Sequence, residues 1–343
     1  MRTLLKQREA ITVAGVLALV AVVGIVHPSF IAPGNLARVL NATVILGLLA
    51  VGSALVILTR NIDVSVGSTL ALSGITGAML MRDGAPLWVA ILAVLVLGAG
   101  LGAINGIGVT YGHVPSIVMT LGTLAAYRGI SFLITGGYSI ESLPSAYRRI
   151  GRVEWLGVPM LVWVTVAVVV IVALVMARTR FGRCFYATGD NADGAYLVGM
   201  STNRIVILAY TLSGLFAALA ALVFLAQVGS IGNQAGQGIE MRAIAAAVIG
   251  GVSLTGGVGT VAGAVLGALF ISTATSSLSF LGVPGSWSDT VIGAILIAAL
   301  IADSRVRSLV SRRRLASRYA ALQETRPAEQ SIPTRELKSE VHS

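Results

Sequence analysis

Charged residues are scarce in this sequence, since Asp, Glu, Lys and Arg make up only 11% of its 343 residues. A soluble domain carries about a quarter charged residues. Hydrophobic residues account for 56% of the chain, and its mean hydropathy is +0.89. So little charge cannot cover a protein surface in water. The composition therefore excludes an ordinary soluble protein and indicates one that lies in a bilayer.

Lysine, histidine and cysteine are also rare, and each shortage excludes a class of function. Lysine occurs only as Lys6 and Lys338, and neither follows a glycine, whereas a Walker A loop needs a lysine after a glycine to hold nucleotide phosphates. The three histidines lie far apart and Cys184 is the single cysteine, so no zinc cluster and no internal disulfide is indicated. We predict a chain that binds no metal or cofactor and is not an enzyme.

Long apolar runs follow one another from near the N-terminus to residue 303. A helix needs about 20 mainly apolar residues to cross a bilayer, so we predict an all-α, polytopic transmembrane bundle of about ten spans. The predicted spans are residues 10–26, 36–58, 66–81, 87–109, 116–134, 158–177, 204–227, 241–256, 257–279 and 288–302. The third and the eighth are short and rich in Gly and Ser.

Basic residues predict the orientation of this bundle. An even number of spans places both termini on one side, and most of the 24 Lys and Arg residues then fall on that side. The exceptions are Arg38, Arg82, Arg128, Arg148, Arg149, Arg152 and Arg242. Because cytoplasmic loops are enriched in Lys and Arg, both termini are predicted to be cytoplasmic. The net charge of +10 is thus explained by topology and needs no nucleic-acid partner.

The same pattern gives the predicted domain organisation. Residues 1–9 form a cytoplasmic N-terminus, and residues 10–303 form the transmembrane domain, with a long cytoplasmic loop at 178–203. Residues 304–343 are a basic and then disordered cytoplasmic tail, because they are polar, mixed in charge and poor in apolar residues.

Polar residues interrupt the apolar pattern between residues 59 and 68. This segment places an aspartate, an arginine and hydroxyls between two apolar runs without a proper loop. A tight cytoplasmic turn or a helix break would each explain it. Its distinctive residues are Asn61, Asp63, Ser65, Gly67 and Ser68.

Glycines are frequent within the predicted spans, with 40 in the chain and runs such as Gly98-x-Gly100-x-Gly102. In lipid, small residues let helix backbones approach closely and so hold a bundle together. The same residues can break a helix where the backbone is buried in protein or lines a cavity.

The loop at 178–203 contains the signals of one short helix. Asp190 could cap it, Asp193 lies three residues on as in a capping box, and Gly199 suits its C-terminal stop. One small apolar face is predicted from Ala192, Ala195, Tyr196 and Gly199. A helix this short is not stable alone in water, so it would have to pack on the membrane surface or on a partner protein. The alternative is that the segment is only a connector.

Four motifs give the sequence a resemblance to a known family. They are Leu58–Ser68, Pro115–Thr123 followed by Arg128-Gly129, Phe185–Asn191, and Ile249–Gly257. In this order they resemble the permease subunits of bacterial ABC importers for monosaccharides, of the ribose, xylose and rhamnose type, and most of all those of autoinducer-2 import systems. The resemblance covers about residues 10–305.

The resemblance implies an inner-membrane permease that moves a small sugar-like solute and works with several partners. Two of the partners are ATP-binding subunits, which bind the ATP. The others are a second permease, which is either the same chain or a sister chain, and a periplasmic solute-binding protein. The 190–199 helix would be the coupling helix, although Asp193-Gly194-Ala195 replaces the usual Glu-Ala-Ala. The implied coupling residues are Gly189, Asp190, Asn191, Asp193, Gly194, Ala195, Tyr196 and Gly199.

Polar residues in otherwise apolar spans are candidates for the translocation path. They are Asn41, Asn105, Thr120, Thr123, Ser213 and Asp289. Each could equally be an interhelical hydrogen-bond anchor. An ion-coupled secondary transporter is the main alternative and would need paired intramembrane acids, for which only Asp63 and Asp289 are plausible.

Overall fold

Helices form most of the described backbone. The computed structural model describes residues 2–141, 143–284, 287, 290–294 and 297–298. Its elements are α1 (Arg2–Val26), a 3-10 helix (Pro28–Ile31), α2 (Pro33–Leu58), α3 (Val66–Arg82), α4 (Leu87–Thr110), α5 (Ser116–Thr135), α6 (Ser145–Ile150), β1 (Glu154–Trp155), β2 (Val158–Pro159), α7 (Met160–Arg178), α8 (Arg180–Asp190), α9 (Ala192–Leu197), α10 (Thr202–Val228), α11 (Ile239–Ile249) and α12 (Val261–Phe280). The two short strands form an antiparallel hairpin.

Seven of these helices are long and apolar enough to cross a membrane, namely α1, α2, α4, α5, α7, α10 and α12. They correspond to seven of the ten predicted spans. Helix α3 has 17 residues and falls just short of that length. The predicted span 288–302 and the tail 304–343 lie outside the described residues, apart from a few positions before 299.

The predicted span over 241–256 is wrong, because its helix, α11, ends at Ile249. Eleven residues give a helix of about 16 Å, roughly half the hydrocarbon thickness. The backbone then turns at Gly250 and Gly251, and Gly251 adopts a positive φ of 93° that a side chain would disfavour. Residues 250–260 form a glycine-rich loop in place of the second half of the span.

Two similar helix pairs pack against each other in the bundle. In each, a long helix is followed by a connection and a short helix, as α2 leads to α3 and α10 leads to α11. The packing is crossed, because α2 contacts α11 and α12 whereas α10 contacts α3 and α4. Helix α2 is the most enclosed of the seven apolar helices, with 78% of its apolar window buried.

The two helix pairs, α2 with α3 and α10 with α11, run in opposite directions. Helix α2 ends beside the 178–203 loop, since the Gly257 N–H donates to Leu58 O and Gly189 lies against that same carbonyl. Helix α10 ends at the opposite side, where Ile231 pairs with Ile140 of the 136–159 loop. The short helices α3 and α11 therefore start from a common point inside the bundle and point to opposite sides.

Glycines bring α4 and α10 into backbone contact. Gly98, Gly102 and Gly106 recur every four residues on one face of α4, and a Cβ on any of them would collide with backbone atoms of α10. Gly100, on the other face, has open space around it. The predicted role of glycine in close helix packing is thus confirmed for Gly98 and Gly102 but not for Gly100.

Chain contacts divide the molecule into a unit over 1–296 and a second over 297–343, and every element named above belongs to the first. Within it, α1, α5 and α7 expose most of their apolar side chains. Such faces suit lipid or another membrane subunit.

Candidate functional site

The segment after α2, residues 59–65, interrupts the helical backbone between α2 and α3 and is called the break below. Helix α2 stops at Leu58, and Arg60 adopts a left-handed φ of 66°. Residues 61–64 then continue without helical structure before α3 begins at Val66. The part of the segment from Asp63 to Ser65 is enclosed by protein, with Asp63 only 3% exposed. Non-helical backbone at this depth is tolerated because protein surrounds it.

Asp63 is the centre of the break. One carboxylate oxygen, Oδ1, accepts hydrogen bonds from the Ser65 backbone N–H at 2.9 Å and from Ser65 Oγ at 2.7 Å. The other, Oδ2, accepts from Ser213 Oγ of α10 at 2.8 Å. A buried carboxylate needs such donors to offset its lost hydration. Asp63 therefore ties the break to α10.

The hydrogen-bond network continues from Ser65 into two further helices. Asn105 of α4 donates from Nδ2 to Ser65 Oγ at 2.8 Å, and its Oδ1 accepts from Thr123 Oγ1 of α5 at 2.7 Å. The Tyr210 hydroxyl of α10 donates to Ile62 O in the break at 3.0 Å. The break is thereby held from three sides by α4, α5 and α10.

Four of the six predicted path residues belong to or adjoin this network, namely Asn105, Thr120, Thr123 and Ser213. Thr120 is fully buried, and its hydroxyl lies 2.9 Å from Ser116 O of its own helix and 3.4 Å from Ile62 O in the break. These groups are engaged with protein partners, which is the arrangement expected of interhelical anchors. Asn41 lies elsewhere, where it accepts from Gln227 Nε2 at 3.2 Å. Asp289 lies outside the described residues.

The remaining break residues have separate roles. Asn61 donates back to Thr59 O at 3.0 Å, and Ser68 donates from Oγ to Ser65 O at 2.9 Å, so both stabilise the local turn. Gly67 lies where α3 and α11 meet, and a Cβ there would collide with the Glu240 carboxylate and with Gly236 O.

Glu240 and Arg128 form the rest of this junction and were not among the predicted site residues. Glu240 is 9% exposed, and its Oε1 accepts from the Gly238 N–H at 3.2 Å. Arg128 of α5 donates from Nη1 to Asn233 O and Ala235 O, each at 2.7 Å, and so fixes the connection that leads into α11. These contacts join segments far apart in the sequence, so local spacing gives no signal for them.

The 178–203 loop holds two short helices rather than one. Helix α8 is capped by Thr179, whose Oγ1 accepts from the Gly182 N–H at 3.2 Å, and it extends to Asp190. Asn191 then adopts an extended conformation and caps α9, accepting from the Gly194 N–H at 2.9 Å. The prediction that Asp190 is the cap is therefore wrong by one residue. Asp193 lies in the first turn of α9, where negative charge is favourable.

The end of α9 agrees with the prediction, whereas its apolar face does not. Gly199 follows the helix with a φ of 84°, the left-handed conformation typical of a C-terminal glycine. Of the predicted face, only Ala195 is buried, because α9 packs there through a small residue. Tyr196, Leu197 and Val198 are 71%, 84% and 73% exposed and form an apolar tip that protrudes from the loop.

Helix α8 touches the end of α2 directly, just before the break. A Cβ on Gly189 would collide with Leu58 O, so only glycine permits this approach. The Tyr186 hydroxyl donates to Gly259 O of the glycine-rich loop at 3.1 Å, and burial raises the pKa of this phenol, which keeps the donor protonated. Three motifs that are distant in the sequence thus meet at the end of α2, next to the apolar tip.

Seven apolar helices around the short buried helices α3 and α11 are typical of a polytopic membrane protein, and irregular buried backbone of this kind recurs in transporters. The chain belongs to the family described as "Branched-chain amino acid transport system / permease component", whose family model matches residues 35–300. It is therefore a transport component and not an enzyme.

Relatives resemble this chain over nearly its whole length. The autoinducer 2 import system permease protein LsrC of Salmonella typhi is 43% identical over 313 residues, which cover 91% of this chain and 90% of the relative. The proteins of the same name from Photorhabdus laumondii and Yersinia enterocolitica are 42% and 41% identical, covering 91% and 97% of this chain and 94% and 91% of the relatives. No solved structure matches the chain. The resemblance drawn from the four motifs is confirmed.

Proposed function

We propose that this chain is the transmembrane subunit of an ATP-binding-cassette importer that carries a small sugar-like solute across the inner membrane. The observation that carries this proposal is the identity above 40% with import permeases, along nine tenths of both chains. ATP is bound and hydrolysed by a separate subunit, because neither lysine of this sequence follows a glycine as a Walker A loop requires.

Autoinducer-2 is the proposed solute, with rhamnose and ribose as the nearest alternatives. The family description names branched-chain amino acids, whereas the similar full-length relatives are named for autoinducer 2. Similarity over a whole chain is the more specific of the two guides. The buried polar groups of the bundle are mostly hydroxyls and amides. No cluster of three or more His, Cys, Asp or Glu occurs among the described residues. A neutral polyol therefore suits the bundle better than an ion.

The apolar tip of Tyr196, Leu197 and Val198 is the proposed docking element for the ATPase. It lies in a loop that carries Arg178, Arg180 and Arg183, which supports a cytoplasmic position with both termini on the same side. Exposed apolar side chains at the end of a short helix are costly in water and are stabilised by burial in a groove of a partner. This tip is positioned by the other implied coupling residues, namely Gly189, Asp190, Asn191, Asp193, Gly194, Ala195 and Gly199.

Movement of the tip would reach the membrane interior through α8. Gly189 bears on Leu58 O, and the break that follows Leu58 is tied through Asp63 to α10 and through Ser65 to α4. Closure of two ATPase subunits would thus displace the break and the helices that hold it. The complete assembly includes a second permease, the same chain or a sister chain, and a periplasmic binding protein that delivers the solute.

The proposal is tested by co-purification and by ATPase activity. The chain is co-expressed with the ATPase and reconstituted, and ATP hydrolysis is measured with the binding protein loaded with autoinducer-2, rhamnose or ribose. Leu197→Asp should abolish co-purification of the ATPase, because it places a charge in a buried contact. Leu156→Asp is the matched control, since Leu156 is 77% exposed in the loop at the opposite side. Equal ATPase recovery with both variants would contradict the docking role.

A further inference from the structure

A cavity of about 430 Å³ lies between α2, α11 and α12 and is not part of the predicted path. Its lining runs from Asn35 to Leu46 along α2 and from Ile271 to Phe280 along α12. On α2 this is a depth of about 16 Å, half of a bilayer core. Both helices contribute the halves that lie away from the 178–203 loop, so the cavity belongs to the outer half of the molecule.

The polar lining combines strong donors with acceptors. Arg38 and Arg242 contribute guanidinium groups, which only donate hydrogen bonds. The hydroxyl of Thr275 donates to Ile271 O at 2.9 Å, which leaves its oxygen to accept from a ligand, and Ser272 and Ser276 also line the cavity. A molecule with several hydroxyl groups both donates and accepts, and so matches such a lining.

Lipid is a poor occupant of this cavity. Arg38 and Arg242 line it, and arginine side chains are costly to place against lipid, whereas charged side chains within a membrane protein mark pathways for water, ions or substrates. The volume falls within the range of small-molecule sites, about 300–1,000 Å³. Phe224 and Phe280 add apolar surface on which a sugar ring can rest.

The cavity leads to the junction of the two short helices. Ile239, the first residue of α11, contributes to its lining, and its neighbour Glu240 lies against Gly67 of α3. The backbones of Gly236 and Gly67 lie in close contact at the same point. Transporters place solute sites at such half-helix N-termini near the middle of the bilayer.

We propose that this cavity is the outer half of the solute path, and that Arg38 holds the hydroxyl groups of a sugar-like solute above the junction of α3 and α11. This inference rests on the proposed function, and it assigns to the path residues other than the buried anchors Asn105, Thr120 and Ser213.

Cysteine accessibility tests the position of the path. In a Cys184→Ser background, Ser276→Cys places a thiol in the cavity and Val170→Cys places one on the exposed apolar face of α7. A membrane-impermeant, charged thiol reagent is added from the binding-protein side of proteoliposomes that hold the complete importer. Modification of Ser276→Cys with loss of uptake, while Val170→Cys stays unmodified, is the expected result. An unreactive Ser276→Cys, or one whose modification leaves uptake intact, would overturn the proposal.

Arg38→Gln tests the role of the guanidinium. Loss of a charge-assisted hydrogen bond should lower autoinducer-2 uptake about tenfold. The stimulation of ATP hydrolysis by the loaded binding protein should persist, because docking is untouched. Arg38→Lys should restore part of the uptake, and Arg82→Gln, an exposed arginine paired with Asp83, should have no effect. Unchanged uptake in Arg38→Gln would contradict the assignment.

The two levels of inference fail differently in these experiments. If the unmodified complex shows no uptake that depends on ATP and on the binding protein, the proposed function fails. If it shows such uptake and the cavity variants behave like their controls, only the cavity assignment fails.

Discussion

Helix α4 offers two glycines for a matched test of the packing. A methyl group at Gly102 would collide with Tyr210 O of α10, whereas a methyl group at Gly100 meets nothing within 4 Å. Gly102→Ala must therefore push α4 and α10 apart, and overpacking of this kind destabilises a protein by about 1–3 kcal/mol. Gly100→Ala removes backbone freedom from a helix and should stabilise by up to about 1 kcal/mol. Because both variants gain the same helix propensity, they should differ by the overpacking cost alone, which is about 1–3 kcal/mol.

Thermal unfolding of the purified chain in detergent measures this difference. In a protein of this size about 2 °C of Tm corresponds to each kcal/mol, so the two midpoints should lie roughly 2–6 °C apart, with Gly102→Ala the lower. Since both substitutions are the same and lie two residues apart in one helix, helix propensity cancels between them. Equal midpoints, or a lower midpoint for Gly100→Ala, would refute the close contact of α4 with α10.

Two further predictions concern the break and the coupling loop. Asp63→Ala should lower stability by about 2–4 kcal/mol, because three buried donors lose their acceptor. Asp63→Asn keeps one acceptor oxygen and should lower stability by about 1 kcal/mol. Similar Tm values for the two variants would contradict the hydrogen-bond network around Asp63. Gly199→Ala should weaken solute-stimulated ATP hydrolysis, because a φ of 84° costs a side chain about 1–2 kcal/mol, whereas Gly199→Asn should be tolerated since Asn adopts this conformation more readily. Equal loss in both Gly199 variants would point to a contact rather than to backbone conformation.

Sequence reasoning was most reliable where the physics is local. Apolar run length alone identified the seven long helices, because a bilayer fixes how many residues a span needs. Gly199 was placed at the end of a helix because a left-handed residue there favours glycine. Run length failed at 241–256, where the residues are apolar enough to span but the glycines at 250 and 251 turn the backbone.

The sequence predicted several residues of the site, but it did not predict how they are arranged in space. Asp63, Asn105 and Ser213 stood out as polar residues among apolar ones, yet nothing local shows that they meet. The Asp63–Ser213 bond joins residues 150 positions apart, and the Asn105–Ser65 bond joins residues 40 apart. Such contacts are fixed by the crossed packing of α2 and α10. The same packing creates the cavity beside Arg38. No spacing of residues in the sequence predicts this cavity.

Solute uptake into proteoliposomes is the most direct test of the importer proposal. The vesicles contain this chain, its ATPase and a second permease where one is required, and the binding protein is supplied with labelled autoinducer-2 on the outer side. Uptake should require both ATP inside and the binding protein outside, and Leu197→Asp should abolish it. Uptake by this chain alone, driven by an ion gradient and indifferent to ATP, would contradict the importer proposal and establish a secondary transporter.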